Sequence, residues 1–122
     1  MSITVKGKQI DVGDALRSYI GDNLGQAVSK YFPEAYEAQV VLSRDAHLFV
    51  ADIQVHVDQS GLMLQSHGEA GEPYPAFDTA LEKLASQLQR YKARIANHRR
   101  REKSTEAHAA RSEEHTSELQ SP

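Results

Sequence analysis

The chain contains no cysteine, no apolar core of signal-peptide length at residues 1–10 and no long apolar run. Without cysteine it can form neither disulfides, thiolate metal sites nor a thiol nucleophile, which suits a reducing compartment, so we expect a cytoplasmic location. No stretch approaches the roughly 20 apolar residues that span a bilayer, which argues against a membrane partner. Neither a phosphate-binding loop nor a G-x-S-x-G nucleophile elbow is present, so the sequence predicts no enzyme, no cofactor and no small-molecule substrate.

The charges of the chain are distributed very unevenly. The whole chain has a formal net charge of −3, which by itself argues against a nucleic-acid partner. Residues 1–82, however, carry 5 Lys/Arg against 12 Asp/Glu, whereas residues 83–103 carry 8 Lys/Arg against a single Glu. A basic segment this concentrated creates a local positive potential that attracts phosphate whatever the total charge is.

Hydrophobic periodicity predicts the order β-α-β-β-β-α. Alternation of apolar and polar residues predicts four strands, at about residues 3–8, 38–43, 49–58 and 62–67. Helical spacing predicts one helix from Gly13 to about Phe32 and a second from the prolines at 73 and 75 to about Ile95. At 122 residues, we expect one α+β domain, a two-layer sandwich with both helices on one face of a four-stranded sheet.

The second predicted helix combines an apolar seam with a basic face. The predicted seam is Leu84, Leu88, Tyr91 and Ile95. The basic face consists of Lys83, Arg90, Arg94 and Arg101, with Lys92, Arg99 and Lys103 on a neighbouring strip. Such a surface suits contact with a phosphate backbone rather than base reading, although an ordinary solvated face has the same pattern. The near absence of compensating acids favours binding.

Three segments together resemble one known family. The segments are ITVKGKQIDVGDALRSYIGDNLGQAVSKYF, FVADIQVHV and PYPAFDTALEKLASQLQRYKARI. In order, register and spacing they resemble the ribosome hibernation-promoting and ribosome-associated inhibitor family, and the resemblance covers residues 2 to about 101. It implies binding of the small ribosomal subunit, its rRNA and intact ribosomes, in the channel for messenger RNA and tRNA. The implied activity is steric inhibition of translation, associated with stress and stationary phase.

The resemblance also implies which residues contact rRNA. The family's basic positions fall on Lys83, Arg90, Lys92 and Arg94, and Arg99 and Arg101 extend the same helix. One departure is Ser86, which stands where related proteins often have arginine, so one phosphate contact is expected to be weakened or replaced. Basic residues outside this helix that could extend the surface are Lys6, Lys8, Lys30, Arg17 and Arg44.

Two alternative functions remain open from the residues alone. His47, His56 and His67, with Asp45, Asp52 and Asp58, are the ingredients of a metal or acid–base site on the outer sheet face, where His56 and His67 could lie near each other on adjacent strands. Their spacing, however, matches no compact ligand motif. The same fold could also serve as a double-stranded-RNA-binding-like module or a protein-interaction domain.

The two predicted helices contain aromatic residues and glycines whose positions suggest how the helices pack. Tyr74 and Phe77 resemble the family's aromatic start of the last helix, and their spacing with Leu81 predicts core anchors rather than base-stacking platforms. Gly21 and Gly25 interrupt the first helix, and close approach to the sheet would explain them.

The C-terminal region divides, by composition, into two parts. We expect residues 1–100 to form the ribosome-binding domain and residues 101–110 to form a polar linker or a frayed helix end. The segment RSEEHTSELQS matches the in-frame translation of a common sequencing adapter, so residues 111–122 are interpreted as non-native. The resemblance implies either a short form or a long form with a C-terminal dimerisation domain, and the polar stretch 101–110 favours the long form.

Overall fold

A computed structural model describes residues 1–58 and 61–103, and of residues 98–103 it describes the backbone only. The elements in chain order are β1 (Ser2–Gly7), α1 (Asp14–Tyr31), β2 (Glu37–Asp45), β3 (Leu48–His56), β4 (Met63–Ala70) and α2 (Pro73–Lys103). The predicted β-α-β-β-β-α order is therefore confirmed. The sequence Gln59-Ser60-Gly61 predicts a short polar turn between β3 and β4, and of these residues Gln59 and Ser60 lie outside the described residues.

The chain divides into two compact units, Met1–Arg90 and Tyr91–Pro122. The first unit contains the four strands, α1 and the part of α2 up to Arg90. The described part of the second unit is the helical segment 91–103. The predicted boundary at residue 100 stays a prediction, and the adapter-like segment 111–122 lies outside the described residues. Neither described helix combines the length and the apolar character needed to cross a bilayer.

The four strands form one mixed sheet in the order β1-β2-β3-β4. β1 runs parallel to β2, with Val5 opposite Val40, and α1 provides the crossover that a parallel connection requires. β2, β3 and β4 are successive antiparallel neighbours, in which Ile53 lies opposite both Val40 and Ser66. A two-residue turn joins β2 to β3, and its first residue, Ala46, has φ 58°.

The core lies between the two helices and one face of the sheet. α1 buries every fourth residue, and α2 buries residues at the same helical spacing, namely Leu16, Ile20, Leu24 and Val28 from α1 and Ala76, Phe77, Ala80, Leu84 and Leu88 from α2. Alternate strand residues on the facing side are also buried, including Val5, Val40, Leu42, Ile53 and Val55. The other side of the sheet carries no helix in the described first unit, so the predicted two-layer α+β fold is confirmed.

α2 approaches the sheet closely at Gly68. A Cβ atom placed on Gly68 would lie 2.4 Å from the carbonyl oxygen of Ala76 and 2.5 Å from the nitrogen of Ala80, both in the backbone of α2. The same explanation fails for Gly21, which has nothing within 4 Å of its Cβ direction, and Gly25 is in ordinary contact with Ile3 at 3.8 Å. The sheet therefore requires a glycine in β4, not in α1.

Two of the residues predicted for the apolar seam are less covered than expected. Leu84 and Leu88 are fully buried, whereas Tyr91 and Ile95 are only half-buried. The prediction that all four lie in the core is wrong for the last two. Both belong to the second unit, whose described part is the helical segment 91–103.

Candidate nucleic-acid interface

Lys83 and Arg90 are the basic residues that the first unit places on α2. Both side chains are exposed, and Ser86, three residues after Lys83 and four before Arg90, is exposed as well. Residues three and four apart are neighbours on one side of a helix, so these three positions share a surface. Adjacent on that helix, Leu84 and Leu88 are fully buried, which fixes the rotation of α2 and keeps the basic positions turned to solvent.

Lys83 also has a structural contact that its sequence position did not reveal. Its Nζ donates a hydrogen bond of 3.1 Å to the carbonyl oxygen of His67, and one helical turn later the Nε2 of Gln87 donates a bond of 2.7 Å to the carbonyl oxygen of Gln65. β4 is an edge strand, so these carbonyls face away from β3. Lys83 and Gln87 therefore donate hydrogen bonds to two carbonyl oxygens of the edge strand that would otherwise be open, and this opposes pairing of β4 with a strand from another molecule.

The second unit presents further basic residues on the helical segment 91–103. Lys92 and Arg94 are exposed. Arg99 and Arg101 lie in helical backbone, but their side chains fall outside the described residues. Their predicted roles as rRNA contacts stay predictions.

The basic residues outside α2 do not gather at Lys83. Lys6 is exposed on the helix-free face of β1, three strands away from the β4 edge, a distance of about 14 Å at 4.8 Å per strand. Lys8 and Lys30 are exposed too, and the Nζ of Lys30 lies 5.4 Å from the ring centroid of its neighbour Tyr31. These three lysines do not cluster with Lys83 in the first unit, and their contribution to an RNA-binding surface stays a prediction.

Arg17 and Arg44 have contacts within the fold. Arg17 Nη1 donates a 2.8 Å hydrogen bond to the carbonyl oxygen of Val5, on the open side of edge strand β1. The guanidinium of Arg44 lies 4.9 Å from the ring centroid of Phe49, within the range of a cation–π contact. These two arginines therefore support the sheet directly, in addition to carrying charge.

The alternative histidine site does not assemble in the described residues. His67 lies between two carboxylates, with Nδ1 2.7 Å from an oxygen of Asp52 and Nε2 2.9 Å from an oxygen of Glu69. These hydrogen bonds, to Glu69 most strongly and then to Asp52, raise the pKa of His67 above its ordinary value of 6.5. Because the carboxylates bond to different ring nitrogens, the three side chains do not converge on one point.

The other predicted members of that site lie elsewhere. His56 is opposite Met63 in the sheet, four residues along β4 from His67, and its ring packs 5.6 Å from that of Tyr36. His47 lies in the turn between β2 and β3. Across residues 1–58 and 61–103, no group of three or more His, Cys, Asp or Glu side chains is placed to hold a metal ion. The expectation of neighbouring His56 and His67 is therefore wrong.

The aromatic start of α2 is partly core and partly surface. Phe77 is fully buried, as predicted, but Tyr74 is 38% exposed, so the prediction of a core anchor is wrong for Tyr74. Its ring packs edge-on against Tyr19 of α1 at 4.9 Å, near the rim of the helix layer. The hydroxyl of Tyr19 donates a 2.8 Å hydrogen bond to Asp78 of α2, and this bond links the two helices. Sequence patterns gave no signal for that pair because the residues are distant along the chain.

Comparison with known proteins defines the class to which this fold and basic helix belong. The chain matches the family described as "Sigma 54 modulation protein / S30EA ribosomal protein" over residues 3–96. The match covers most of the chain, and the chain belongs to this family.

Relatives of two lengths match the same region. The chain is 42% identical over 98 residues to the ribosome hibernation promotion factor of Rhizobium meliloti (strain 1021), covering 80% of this chain and 51% of the relative. It is 26% identical to the ribosome hibernation promoting factor of Escherichia coli (strain K12), covering 80% of this chain and 100% of that protein. The chain thus spans about half the length of relatives such as the one from Rhizobium.

Solved structures agree with the fold. The N-terminal domain of Thermus thermophilus Protein Y superposes with a TM-score of 0.64 at 30% identity, covering 75% of this chain and 99% of that domain. A ribosomal subunit interface protein from Coxiella burnetii superposes with a TM-score of 0.69 at 24% identity, covering 76% of this chain and 99% of its own, and this likeness concerns the fold alone.

Proposed function

We propose that this chain is a ribosome hibernation factor that binds the small ribosomal subunit through the basic side of α2 and inhibits translation by occupying the messenger RNA and tRNA channel. The observation that carries the proposal is the family match over residues 3–96, which includes the positions of Lys83, Arg90, Lys92 and Arg94. All four side chains are exposed, as a contact with rRNA phosphates requires. The names of these relatives supply hibernation of ribosomes as the biological context.

The chemistry of these residues favours phosphate as the ligand. Lysine and arginine donate to phosphate oxygens without reading the base, and each contact releases a condensed counterion. Four contacts predict that the logarithm of the binding constant falls with the logarithm of the salt concentration with a slope of about −3. Binding in this picture is electrostatic, and its specificity comes from the shape of the assembled subunit rather than from an RNA sequence.

The proposed activity is occlusion and involves no chemical step. A rigid domain lodged in the channel would exclude messenger RNA and tRNA by volume alone. The buried seam of α2 and the hydrogen bonds of Lys83 and Gln87 to β4 hold the helix in one orientation, which preserves its basic side for the ribosome. A partner of this kind places the protein in the cytoplasm.

Long-form members of the family are expected to join two ribosomes through a C-terminal dimerisation domain. The chain matches about half of the protein from Rhizobium meliloti and the whole of the protein from Escherichia coli. Both relatives therefore contain a region similar to this chain. We propose that this region is sufficient for ribosome binding in both forms, whereas dimerisation requires residues beyond it.

Neutralising two arginines tests whether α2 is the binding surface. In the variant Arg90→Gln with Arg94→Gln, loss of two phosphate contacts is expected to weaken binding to small subunits on the order of 30-fold at 0.15 M salt. The matched control is Ser18→Glu with Gln26→Glu, which makes the same change in net charge at exposed positions of α1 and should alter binding less than about twofold. Dissociation constants are measured by titrating labelled protein with purified subunits.

The two variants separate local contact from overall charge. Equal weakening by both would show that only net charge matters and would reject α2 as the interface. Circular dichroism and thermal melting of both variants should match the parent, because all four substituted side chains are exposed.

A further inference from the structure

The helix-free face of the sheet carries an exposed apolar group that the proposed RNA surface does not use. The exposed large hydrophobic residues in the described chain are Met1, Tyr36, Met63 and Tyr74. Tyr36 is 43% and Met63 is 37% exposed, and His56 connects them. The ring of His56 packs against Tyr36 at 5.6 Å, and Met63 is its partner across the β3–β4 ladder. We call Tyr36, His56 and Met63 the sheet-end patch.

Backbone hydrogen bonds and strand pairing fix the positions of the residues in the sheet-end patch. The nitrogen of Tyr36 donates a 3.3 Å hydrogen bond to the carbonyl oxygen of His56, and His56 also lies opposite Glu37 in β2. Single exposed apolar residues are common on soluble proteins, whereas an aromatic ring, an imidazole and a thioether side by side at fixed register form a contiguous contact area. Tyrosine and methionine are also enriched at protein interfaces.

The charge of this face argues against RNA and for a basic partner. The outward positions of the four strands carry the acidic residues Glu37, Asp45, Asp52 and Glu69 against Lys6 and His67. His67 pairs with Asp52 and Glu69, so even with a protonated His67 the four carboxylates outnumber the two cations and the face stays net negative. Phosphate would be repelled here, while a lysine- or arginine-rich segment would be attracted. The aliphatic stem of such a side chain can cover Met63, its cation can stack on the ring of Tyr36, and Glu37 adjoins the same position.

We propose that the sheet-end patch docks a lysine- or arginine-rich segment of a ribosomal protein while α2 binds rRNA. In this arrangement the helix-free face of the sheet contacts protein, whereas α2 contacts RNA. This inference rests on the proposed function, because it takes the ribosome as the place where the basic segment is met.

Photocrosslinking on the ribosome tests the partner's class. The photoreactive residue p-benzoylphenylalanine replaces Tyr36 in one variant and, as the control on the RNA side, Ser86 in another. Each variant is bound to purified bacterial ribosomes, sedimented to confirm binding, and irradiated. Crosslinked products are then separated by digestion with ribonuclease or protease and identified by mass spectrometry.

The outcomes distinguish this inference from the function on which it rests. A Tyr36 crosslink to a basic ribosomal-protein segment, together with a Ser86 crosslink to rRNA, is the expected result. A Tyr36 crosslink to rRNA, or none, in a variant that still sediments with ribosomes and whose Ser86 counterpart crosslinks to rRNA, overturns the inference and leaves the proposed function intact. Failure of the parent chain to sediment with ribosomes rejects both.

A pair of truncations gives a second readout. Tyr36→Ala with Met63→Ala should weaken ribosome binding roughly tenfold while leaving the salt dependence nearly unchanged, because both substitutions keep every ionised group of the sheet face and of α2. Thr4→Ala, on the same face at the opposite edge strand, should have no measurable effect. Equal affinities for the double variant and the parent would contradict docking at this patch.

Discussion

Adding one methyl group at Gly68 should strongly destabilise the fold. The new Cβ would lie 2.4 Å from the oxygen of Ala76 and 2.5 Å from the nitrogen of Ala80, and it would be 3.0 Å from the Cβ of Thr79. Backbone atoms cannot rotate away, so α2 must move by about 1 Å to restore ordinary contact distances. Overpacking of this kind costs about 3 kcal/mol, a large part of the stability of a small domain.

The matched control for this prediction is the same substitution in α1. Gly21→Ala adds the methyl group where nothing lies within 4 Å, and replacing a helical glycine should stabilise the protein by about 0.7 kcal/mol. Urea unfolding with an m-value of about 1.5 kcal/mol/M should then show the midpoint falling by about 2 M for Gly68→Ala and rising by about 0.5 M for Gly21→Ala. A Gly68→Ala midpoint within about 0.3 M of the parent would refute the close seating of α2 on β4.

Two further predictions concern the surface. Ser86→Arg places a cation between Lys83 and Arg90 and should tighten binding to small subunits on the order of fivefold at 0.15 M salt. The slope of the logarithm of the binding constant against the logarithm of the salt concentration should become steeper by about 0.9. Unchanged affinity would show that this side of α2 does not contact phosphate. Glu69→Gln removes the carboxylate that most strongly raises the pKa of His67, so NMR titration should give a lower pKa for the variant than for the parent. A raised pKa means that the folded protein binds the His67 proton more tightly than the unfolded chain does, which stabilises the fold below about pH 6.5. This stabilisation disappears as the pH rises through the pKa of His67 in the folded protein. The difference in unfolding free energy between parent and variant should therefore be larger at pH 6 than at pH 9. A parent pKa at or below 6.5 would contradict the assignment.

Much of the fold follows from the sequence because burial imposes periodicity. The four-residue spacing from Leu16 to Val28 and the alternation around Val40 and Ile53 directly reflect which face meets the core. Periodicity does not record which strands are neighbours, so the parallel pairing of β1 with β2 required the structure. It also could not distinguish a buried ring from one at the rim, as the 38% exposure of Tyr74 shows.

The candidate site was predictable in its charge but not in its contacts. The basic segment and its spacing follow from the residues alone, and the exposure of Lys83 and Arg90 agrees with them. The hydrogen bonds of Lys83 and Gln87 to β4 depend on the register of an edge strand that lies far away in sequence. Likewise, His67 was grouped with His56, although cross-strand pairing gives it Asp52 as a partner instead.

The most direct test of the central claim is sedimentation of the purified chain with bacterial ribosomes, small subunits and large subunits through sucrose gradients over a series of salt concentrations. We expect the protein to travel with small subunits and intact ribosomes but not with large subunits, and to be released progressively as the salt concentration rises. Absence from small subunits even at low salt, or equal binding to free duplex RNA, would contradict this claim.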